Sequence, residues 1–227
     1  MTSGDIPAGP ASEDELLTPG LTTRRLQLRV VQNDDHAALY RLSADPDVTF
    51  QWRFRGTTPS FDDFLKQLHP GVLCQFVVSP LGSHEVFGLV VAYNADFRHR
   101  FCYVANVMHP RLHRRGLGIE AFMGLARYLY YGWDFRMIIM ETMGMAFENF
   151  AAGEQAGYFS VEGRIRDQFY YGGRYCDGLT VTHRREQFEL AMRGPVGRLL
   201  SPGHRVVRVD ERRAPPGTSG PGGPGGR

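Results

Sequence analysis

The sequence has little cysteine, almost no lysine and no long apolar run. No stretch of about eighteen apolar residues occurs, so no membrane-spanning helix is expected. The acidic first twenty residues do not resemble a secretory signal. The three cysteines, Cys74, Cys102 and Cys176, are widely spaced and form no CxxC pair, which argues against a disulfide framework and a zinc site. We therefore expect a cytoplasmic protein that uses no membrane and no metal.

Basic charge is concentrated at one end of the chain. The formal net charge is +2, but residues 193–227 hold seven arginines against Asp210 and Glu211, a net of +5. The remaining residues therefore carry about −3. A basic surface that would suggest nucleic-acid binding is missing from the part expected to fold.

Composition predicts one folded domain between two tails. A chain of 227 residues with 42% hydrophobic content can bury one substantial core. Ten of the fourteen residues 214–227 are Gly or Pro, and such a segment has nothing apolar to offset its ordering entropy. We expect a disordered segment at 1–20, a folded domain at 21–192, and a basic, then Pro/Gly-rich, disordered tail at 193–227.

Hydrophobic periodicity and turn residues predict the element order β-αα-βββ-α-β-α-ββ. Strands are expected at 26–30, 72–78, 86–93, 101–108, 137–140, 161–171 and 175–182. Helices are expected after Asn33, at 61–68 behind the capping residue Ser60, from Arg115 to about Gly132, and at 147–156. This order favours an α+β fold, with helices on both faces of the sheet, over alternating βαβ units.

A glycine-containing turn links the strand at 101–108 to the helix that follows. Val107-Met108-His109-Pro110 leads into Arg114-Arg115-Gly116-Leu117-Gly118. A helix that starts this way presents unpaired backbone N–H groups and the positive end of its dipole, which together suit a phosphate. The two glycines allow a close approach to the main chain, and the two arginines add positive charge.

This segment resembles the acetyl-CoA motif of the GNAT N-acetyltransferase superfamily, with His113 at its first position in place of Gln or Arg. The resemblance covers about residues 21–190 and implies a mixed, mostly antiparallel sheet. It implies that the diphosphate of acetyl-CoA binds at His113, Arg114, Arg115, Gly116, Leu117, Gly118 and Ile119. It further implies that Val107 and Met108 hold the pantetheine beside a splayed parallel neighbour at 137–142, and that Asn149 contacts the cofactor.

A second resemblance concerns the C-terminal strands. Gly157-Tyr158-Phe159, the segment Val161 to Asp167, and Gly173 to Asp177 look like the Gly-Phe-x-x-Glu-Gly-x-x-Arg-Asp and Gly-x-x-x-Asp patterns of the RimJ/RimL-like branch, with one extra residue after Gly157. This branch would allow a protein N-terminus as the acceptor. A small-molecule primary amine is the preferred acceptor, and a homodimer is left open.

The resemblance implies direct attack of the amine on the thioester, but the usual acid and base are missing. The strand at 101–108 contains no carboxylate, and Gly153 stands where a general-acid Tyr is often found. Glu141 closes a short apolar strand and is the candidate base, because burial disfavours the charged form of a carboxylate. Tyr103 is a second candidate catalytic residue, as an acid or as a group that holds water. A non-catalytic module that binds an acyl-CoA or a partner stays open as the alternative.

An aromatic and arginine-rich loop lies between the first two helices. The resemblance places the acceptor there, so Trp52, Arg53 and Arg55 are candidate acceptor-binding residues by stacking and bidentate hydrogen bonding. In the other reading, Trp52 and Phe54 pack under the second helix and the arginines are solvated. The sequence favours neither.

Overall fold

The computed structural model describes residues 21–200, apart from residues 51, 53 and 114 and the side chain of Asn149. In this part of the chain the strands are β1 Leu21–Thr22, β2 Leu26–Val30, β3 Val72–Pro80, β4 Gly88–Asp96, β5 Phe101–Met108, β6 Met137–Met143, β7 Ser160–Tyr171 and β8 Arg174–Arg184. The α-helices are α1 His36–Ser43, α2 Phe61–Leu68, α3 Leu117–Gly132, α4 Gly144–Phe147, α5 Ala151–Gln155, α6 Arg185–Arg193 and α7 Pro195–Leu199. Short 3₁₀ turns cover Asn33–Asp35, Pro110–Leu112 and Glu148–Phe150.

These strands form one twisted layer in the order β1-β2-β3-β4-β5-β6-β8-β7. Neighbouring strands are antiparallel except β5 and β6, which are parallel. The long β7–β8 hairpin turns at Gly172 and Gly173, which both have positive φ, 58° and 79°. The expected mixed, mostly antiparallel sheet is therefore confirmed.

Helices cover both faces of the sheet. On one face α3 buries Phe122, Leu125 and Leu129 against inward-facing residues of β2 to β5 and β8. On the other face α1 and α2 pack over β3 and β4, with Phe64 fully buried at the centre of that smaller cluster. Ser60 caps α2 as expected, since its side chain accepts a hydrogen bond from the N–H of Asp63.

The helix expected at 147–156 is broken into α4, a 3₁₀ turn and α5. In the tighter turn, residues three apart are eclipsed. Phe147 and Phe150 therefore lie on the same side, with their rings stacked at a centroid distance of 6.4 Å. Both rings contact the core beside α3.

The described chain continues past residue 192, where the tail was predicted to begin. Helix α7 lies at Pro195–Leu199, and Leu200 is 1% exposed in the core beside α3. The carbonyl of Leu199 accepts from the N–H of Arg24, and the carbonyl of Leu200 accepts from Arg127. The expected boundary is therefore corrected to about residue 200; residues 1–20 and 201–227, including the Pro/Gly-rich end, lie outside the described residues. No helix in the described part of the chain is long and apolar enough to cross a membrane.

Arg185 links the C-terminal end of α3 to the start of α6 by hydrogen bonds. Its guanidinium donates to the carbonyls of Tyr130, Trp133 and Phe135 at 2.8–3.1 Å and lies 5.0 Å from the centre of the Tyr130 ring. Carbonyls at the end of a helix have no intrahelical donor and carry partial negative charge, so a cation is well suited to this position.

All three cysteines are free thiols. Cys102 on β5 is fully buried and Cys74 on β3 is partly buried, both on the face that packs against α3. Burial raises the pKa of both thiols to about 12.

His183 on β8 is completely buried among aromatic rings. Phe122, Phe159 and Phe188 lie within 6.2 Å of its ring centre. Its Nδ1 is 2.6 Å from the carbonyl oxygen of Tyr158, which can only accept, so Nδ1 carries the proton. Nε2 is buried and has no hydrogen-bond partner among the described residues. Burial lowers the pKa of His183 from 6.5 to about 4.

This pKa predicts acid sensitivity of the fold. Between pH 6.5 and pH 4 the unfolded chain binds a proton at residue 183 and the folded chain does not, so stability is full above pH 6.5 and falls as the pH approaches 4. Urea unfolding at several pH values should show this decline, and His183→Phe should flatten it although it lowers stability overall. His84→Gln, at an exposed histidine, is the control. The prediction fails if both variants keep the wild-type slope.

Candidate functional site

The turn before α3 has the geometry that the sequence predicted. Gly116 occupies the N-cap position with φ 69° and ψ 8°, in the left-handed region. The first intrahelical donor is the N–H of Glu120, which bonds the carbonyl of Gly116 at 3.2 Å. The N–H groups of Leu117, Gly118 and Ile119 therefore have no acceptor within the helix. This sixteen-residue helix presents its positive end at the exposed Gly116 turn.

Strands β5 and β6 pair only at their start and then separate. The parallel pairs run from Phe101–Met137 to Tyr103–Ile139. Beyond them β5 stays paired with β4 up to Met108, and β6 stays paired with β8 along its whole length. A wedge-shaped gap, which we call the splay, therefore opens between the second halves of β5 and β6. The Gly116 turn follows β5 in the chain at this open end.

The pairing with β4 decides which backbone groups of β5 face the splay. His109 donates its N–H to the carbonyl of Phe87 at 2.8 Å, in the same register that pairs Val107 with β4. Bonded positions alternate along antiparallel strands, so Val107 directs its N–H and C=O at β4. Asn106 and Met108 direct theirs the other way, into the splay. Of the two predicted pantetheine-binding residues, only Met108 therefore offers backbone groups to the gap.

Asn106 links β5 to the first turn of α3. Its Nδ2 donates to the carbonyl of Gly118 at 2.7 Å, while its Oδ1 is buried and has no hydrogen-bond partner among the described residues. Gly118 lies close to the same strand, since a Cβ there would be 3.6 Å from Asn106 Nδ2 and 3.7 Å from Met108 Cγ. An acceptor oxygen is thus available beside the splay.

His113 also contacts β5. Its Nε2 lies 3.3 Å from the carbonyl oxygen of Met108, which can only accept, so Nε2 carries the proton. Arg115 is exposed, and its carbonyl accepts from Arg25 at 3.0 Å. Arg114 and the side chain of Asn149 lie outside what the structure describes; the backbone of Asn149 belongs to the 3₁₀ turn after α4.

The sequence did not indicate that Glu120 is a central residue of this turn. Its carboxylate is completely buried and bonds Thr23 and Arg25, in the connection between β1 and β2. These residues lie 95 to 97 positions away in the chain, so no local pattern could have indicated the contact.

Tyr103 and Glu141 share the face of the sheet opposite α3. Tyr103 is half-buried, 5.8 Å from the Tyr93 ring. On β6, Glu141 lies two residues beyond Ile139, which pairs with Tyr103. Glu141 itself pairs with Thr180 of β8. The expectation that Glu141 is buried is wrong: its residue is exposed. β6 has already parted from β5 at that point, so sheet covers it on one side only.

The loop between α1 and α2 packs as the second reading of the sequence predicted. Trp52 is 4% exposed and Phe54 7% exposed, and both belong to the core under α2. A buried indole has no free face for an acceptor, so the stacking role predicted for Trp52 is corrected to core packing. Arg55 is exposed at φ 48°, and Arg53 lies outside the described residues.

The residues of the RimJ/RimL-like patterns meet on the β7–β8 hairpin. Asp177 accepts from Arg164 at 2.9 Å and from the N–H of Asp167 at 3.2 Å. These bonds lower the pKa of Asp177. Glu162 accepts from Thr182 and from Arg184, and the two bonds lower its pKa as well. The contacts stabilise the hairpin, and they explain the pattern without a catalytic role.

No metal site is evident in the described part of the chain. No three His, Cys, Asp or Glu side chains among the described residues form a group that could hold an ion. His109 and His113 are separated by the 3₁₀ turn at Pro110–Leu112, and the His113 ring is directed at the carbonyl of Met108.

Comparisons with known proteins support the fold. No protein-family model matches the chain, and no curated protein matches its sequence. Spermidine N-acetyltransferase from Vibrio cholerae, solved with CoA and spermine, matches with a TM-score of 0.62 and 20% identity over 72% of this chain and 98% of that chain. A protein from Chromobacterium violaceum, named a probable acetyltransferase of the GNAT family, matches with a TM-score of 0.59 and 20% identity over 83% and 95%. The spermidine/spermine N-acetyltransferase SpeG from Vibrio cholerae, solved with manganese ions, matches with a TM-score of 0.58 and 19% identity over 74% of this chain and 95% of that chain.

At such identities these matches establish the fold, which is that of GNAT acetyltransferases. They cover nearly the whole of each matched chain, so the described part of this chain holds a complete fold of this kind.

The two glycines of the turn should respond differently to alanine. Gly116→Ala puts a Cβ on a left-handed residue and should cost about 1 kcal/mol of unfolding free energy. Gly118 has ordinary helical geometry and room for a methyl group, so Gly118→Ala should leave the unfolding free energy unchanged or raise it slightly. Urea unfolding measures both. Equal stabilities for the two variants would contradict the left-handed turn.

Proposed function

We propose that this chain is an acetyl-CoA-dependent N-acyltransferase that moves an acetyl or other short acyl group to the primary amine of a small molecule. The observation that carries the proposal is the Gly116 turn at the open end of the splay: helical N–H groups for a diphosphate stand beside backbone groups of β5 that face away from β4 and suit an extended chain. The spermidine N-acetyltransferase of the same fold was solved with CoA and spermine, which supports both the donor and a small amine acceptor.

The residues present fit acetyl-CoA. The diphosphate would bind the N–H groups of Leu117, Gly118 and Ile119, with the exposed Arg115 nearby as a cation and Arg114 as a second predicted one. The pantetheine amides would pair with the backbone of Asn106 and Met108, in the way that a strand is added to a sheet edge. The unpartnered Oδ1 of Asn106 provides an acceptor at the same place. Asn149 and His113 stay candidate contacts from the sequence.

Acetyl-CoA supplies an activated acyl thioester. The amine nitrogen attacks the thioester carbonyl and forms the C–N bond of an amide, the C–S bond breaks so that CoA leaves as a thiolate and is protonated to the thiol, and the proton of the amine passes to a base. Backbone N–H groups of β5 that face the splay are suited to stabilise the negative charge on the carbonyl oxygen. The acceptor would approach on the face of Tyr103 and Glu141, opposite α3, with Arg55 at the rim.

Glu141 remains our proposed base, acting on the amine directly or through water. It is the carboxylate of β6 on the acceptor face, next to the point where the strands part. Tyr103 is proposed as an acid or a water-holding group. No metal is proposed in this reaction.

A second candidate function is an acyl-CoA-binding or partner-binding module without turnover. Two observations favour it: β5 carries no carboxylate, and a Cβ at Gly153 would lie 2.8 Å from the Phe159 ring, so no larger side chain fits where a general acid is often found. A protein N-terminus as acceptor, a cytoplasmic location, a homodimer and membership of the RimJ/RimL-like branch also stay predictions from the sequence.

Donor binding is tested by Gly116→Asp. The added carboxylate stands where the diphosphate should bind, so calorimetry should show a loss of acetyl-CoA affinity with the fold kept by circular dichroism. Gly172→Asp is the matched control, because it adds the same charge at another left-handed glycine, in the open β7–β8 turn. Unchanged binding in Gly116→Asp rules out this site.

Turnover separates the two candidate functions. Release of free CoA thiol from acetyl-CoA is measured against a panel of small amines and a peptide N-terminus; turnover with none of them favours the binding module. With an accepted amine, Glu141→Gln should lower turnover by roughly 10² to 10⁴ and leave acetyl-CoA affinity unchanged. Glu189→Gln, at an exposed residue of α6, is the control. Turnover within about threefold of wild type, well below that range, removes Glu141 as the base.

A further inference from the structure

The first turn of α3 contains a carboxylate with no exposure to solvent. Glu120 is 0% exposed, four residues after Gly116. A buried carboxylate is costly unless it is paired and hydrogen-bonded. It would also repel a second anion at the same helix end, because unit charges a few ångströms apart in a partly dry site interact strongly. A turn that binds a diphosphate therefore has to neutralise Glu120.

The neutralising contacts come from one short segment between β1 and β2. Oε1 of Glu120 accepts from the hydroxyl of Thr23 at 2.6 Å and from the N–H of Arg25 at 3.0 Å. Oε2 accepts from Nε of Arg25 at 2.6 Å and forms an ion pair with its terminal nitrogen at 2.6 Å. These four contacts occupy both carboxylate oxygens.

Arg25 also bonds the residue before Gly116. Its other terminal nitrogen donates to the carbonyl of Arg115 at 3.0 Å. In a trans peptide the C=O of one residue and the N–H of the next point in opposite directions. Holding the carbonyl of Arg115 on Arg25 therefore fixes the N–H of Gly116 on the opposite side. The guanidinium bridges the buried carboxylate and the peptide that opens the turn.

We propose that Arg25 and Glu120 are a positioning pair for the diphosphate turn, with Thr23 as the third member. The pair holds the Arg115–Gly116 peptide in its binding orientation before the donor arrives and removes the repulsion of Glu120. This inference rests on the proposed binding of acetyl-CoA at the turn. Neither residue is proposed to touch the reacting atoms, so the effect lies on donor affinity and not on the chemical step.

The strand that follows Arg25 provides a control of matching chemistry. Arg29 of β2 forms a bidentate pair with the nearly buried Asp35, both bonds at 2.6 Å, and also bonds the carbonyl of His84. This pair ties β2 to the turn before α1 and has no contact with α3. Arg29→Lys should thus cost stability in the way that Arg25→Lys does, without altering the diphosphate turn.

The experiment compares the full-length wild type, Arg25→Lys and Arg29→Lys. Lysine keeps the charge at residue 25, but its single nitrogen lacks the planar fork through which Arg25 contacts Glu120 on one edge and the carbonyl of Arg115 with its other terminal nitrogen. Arg25→Lys should weaken acetyl-CoA binding about tenfold, the equivalent of one charge-assisted hydrogen bond, and raise KM for acetyl-CoA with kcat kept. Arg29→Lys should leave the affinity unchanged. Turnover of acetyl-pantetheine, which has no diphosphate, should be equal in all three proteins.

Three results would overturn the inference. Equal acetyl-CoA affinities in Arg25→Lys and wild type mean that the pair only stabilises the fold. Equal losses in the two lysine variants, or a parallel loss with acetyl-pantetheine, mean that general destabilisation is the cause. If wild type itself binds no acetyl-CoA, the proposed function fails first and the inference with it. If Arg25→Lys is unfolded by circular dichroism, Thr23→Val, which keeps the shape and removes one bond to Glu120, takes its place in the same comparison.

Discussion

Helix α3 is bonded at its two ends to parts of the sheet that lie on opposite sides of the splay. Its first turn is tied to the β1–β2 segment through Glu120, and its last turn is tied to β8 and α6 through Tyr130, which donates to the carbonyl of His183, and through Arg185. Sixteen residues of helix span roughly 24 Å. Because both ends are fixed, the halves of the sheet cannot move together without breaking buried polar contacts. The gap between β5 and β6 is thus a supported part of the fold.

Much of the fold could be predicted because its signals are local. Strand β5 and helix α2 have their predicted bounds, since alternation and a capping serine each act within a few residues. Helix α6 was not predicted: it buries Phe188 and Ala191, Met192 is partly buried, and its other residues are polar or exposed. The hydrophobic pattern after β6 predicts one helix, and it does not show that the chain there forms two short α-helices joined by a 3₁₀ turn.

In the candidate site, too, local features could be predicted from the sequence and long-range contacts could not. The strand, the glycine-containing turn and the helix after it could be predicted from the sequence, and the structure adds that Gly116 is left-handed and that Gly118 lies close to β5. The burial of Glu141 was misjudged because a strand's composition indicates a buried neighbourhood but not where its neighbour ends. The sequence left two roles open for Trp52, because an aromatic residue in a loop can pack in a core or bind a ligand at a surface. The Arg25–Glu120 pair joins residues 95 apart, and only the folded chain brings them together.

The buried thiols have a consequence for a protein that would hold an acyl thioester. Thiolates, and not thiols, attack such bonds. Burial raises the pKa of Cys102 on β5 and of Cys74 on β3 to about 12, so both stay in the thiol form at neutral pH. Cys102 belongs to one of the two strands that form the splay, yet its sulfur is not a competing nucleophile. An acyl thioester bound between β5 and β6, as we propose, would therefore meet no thiolate from these two residues.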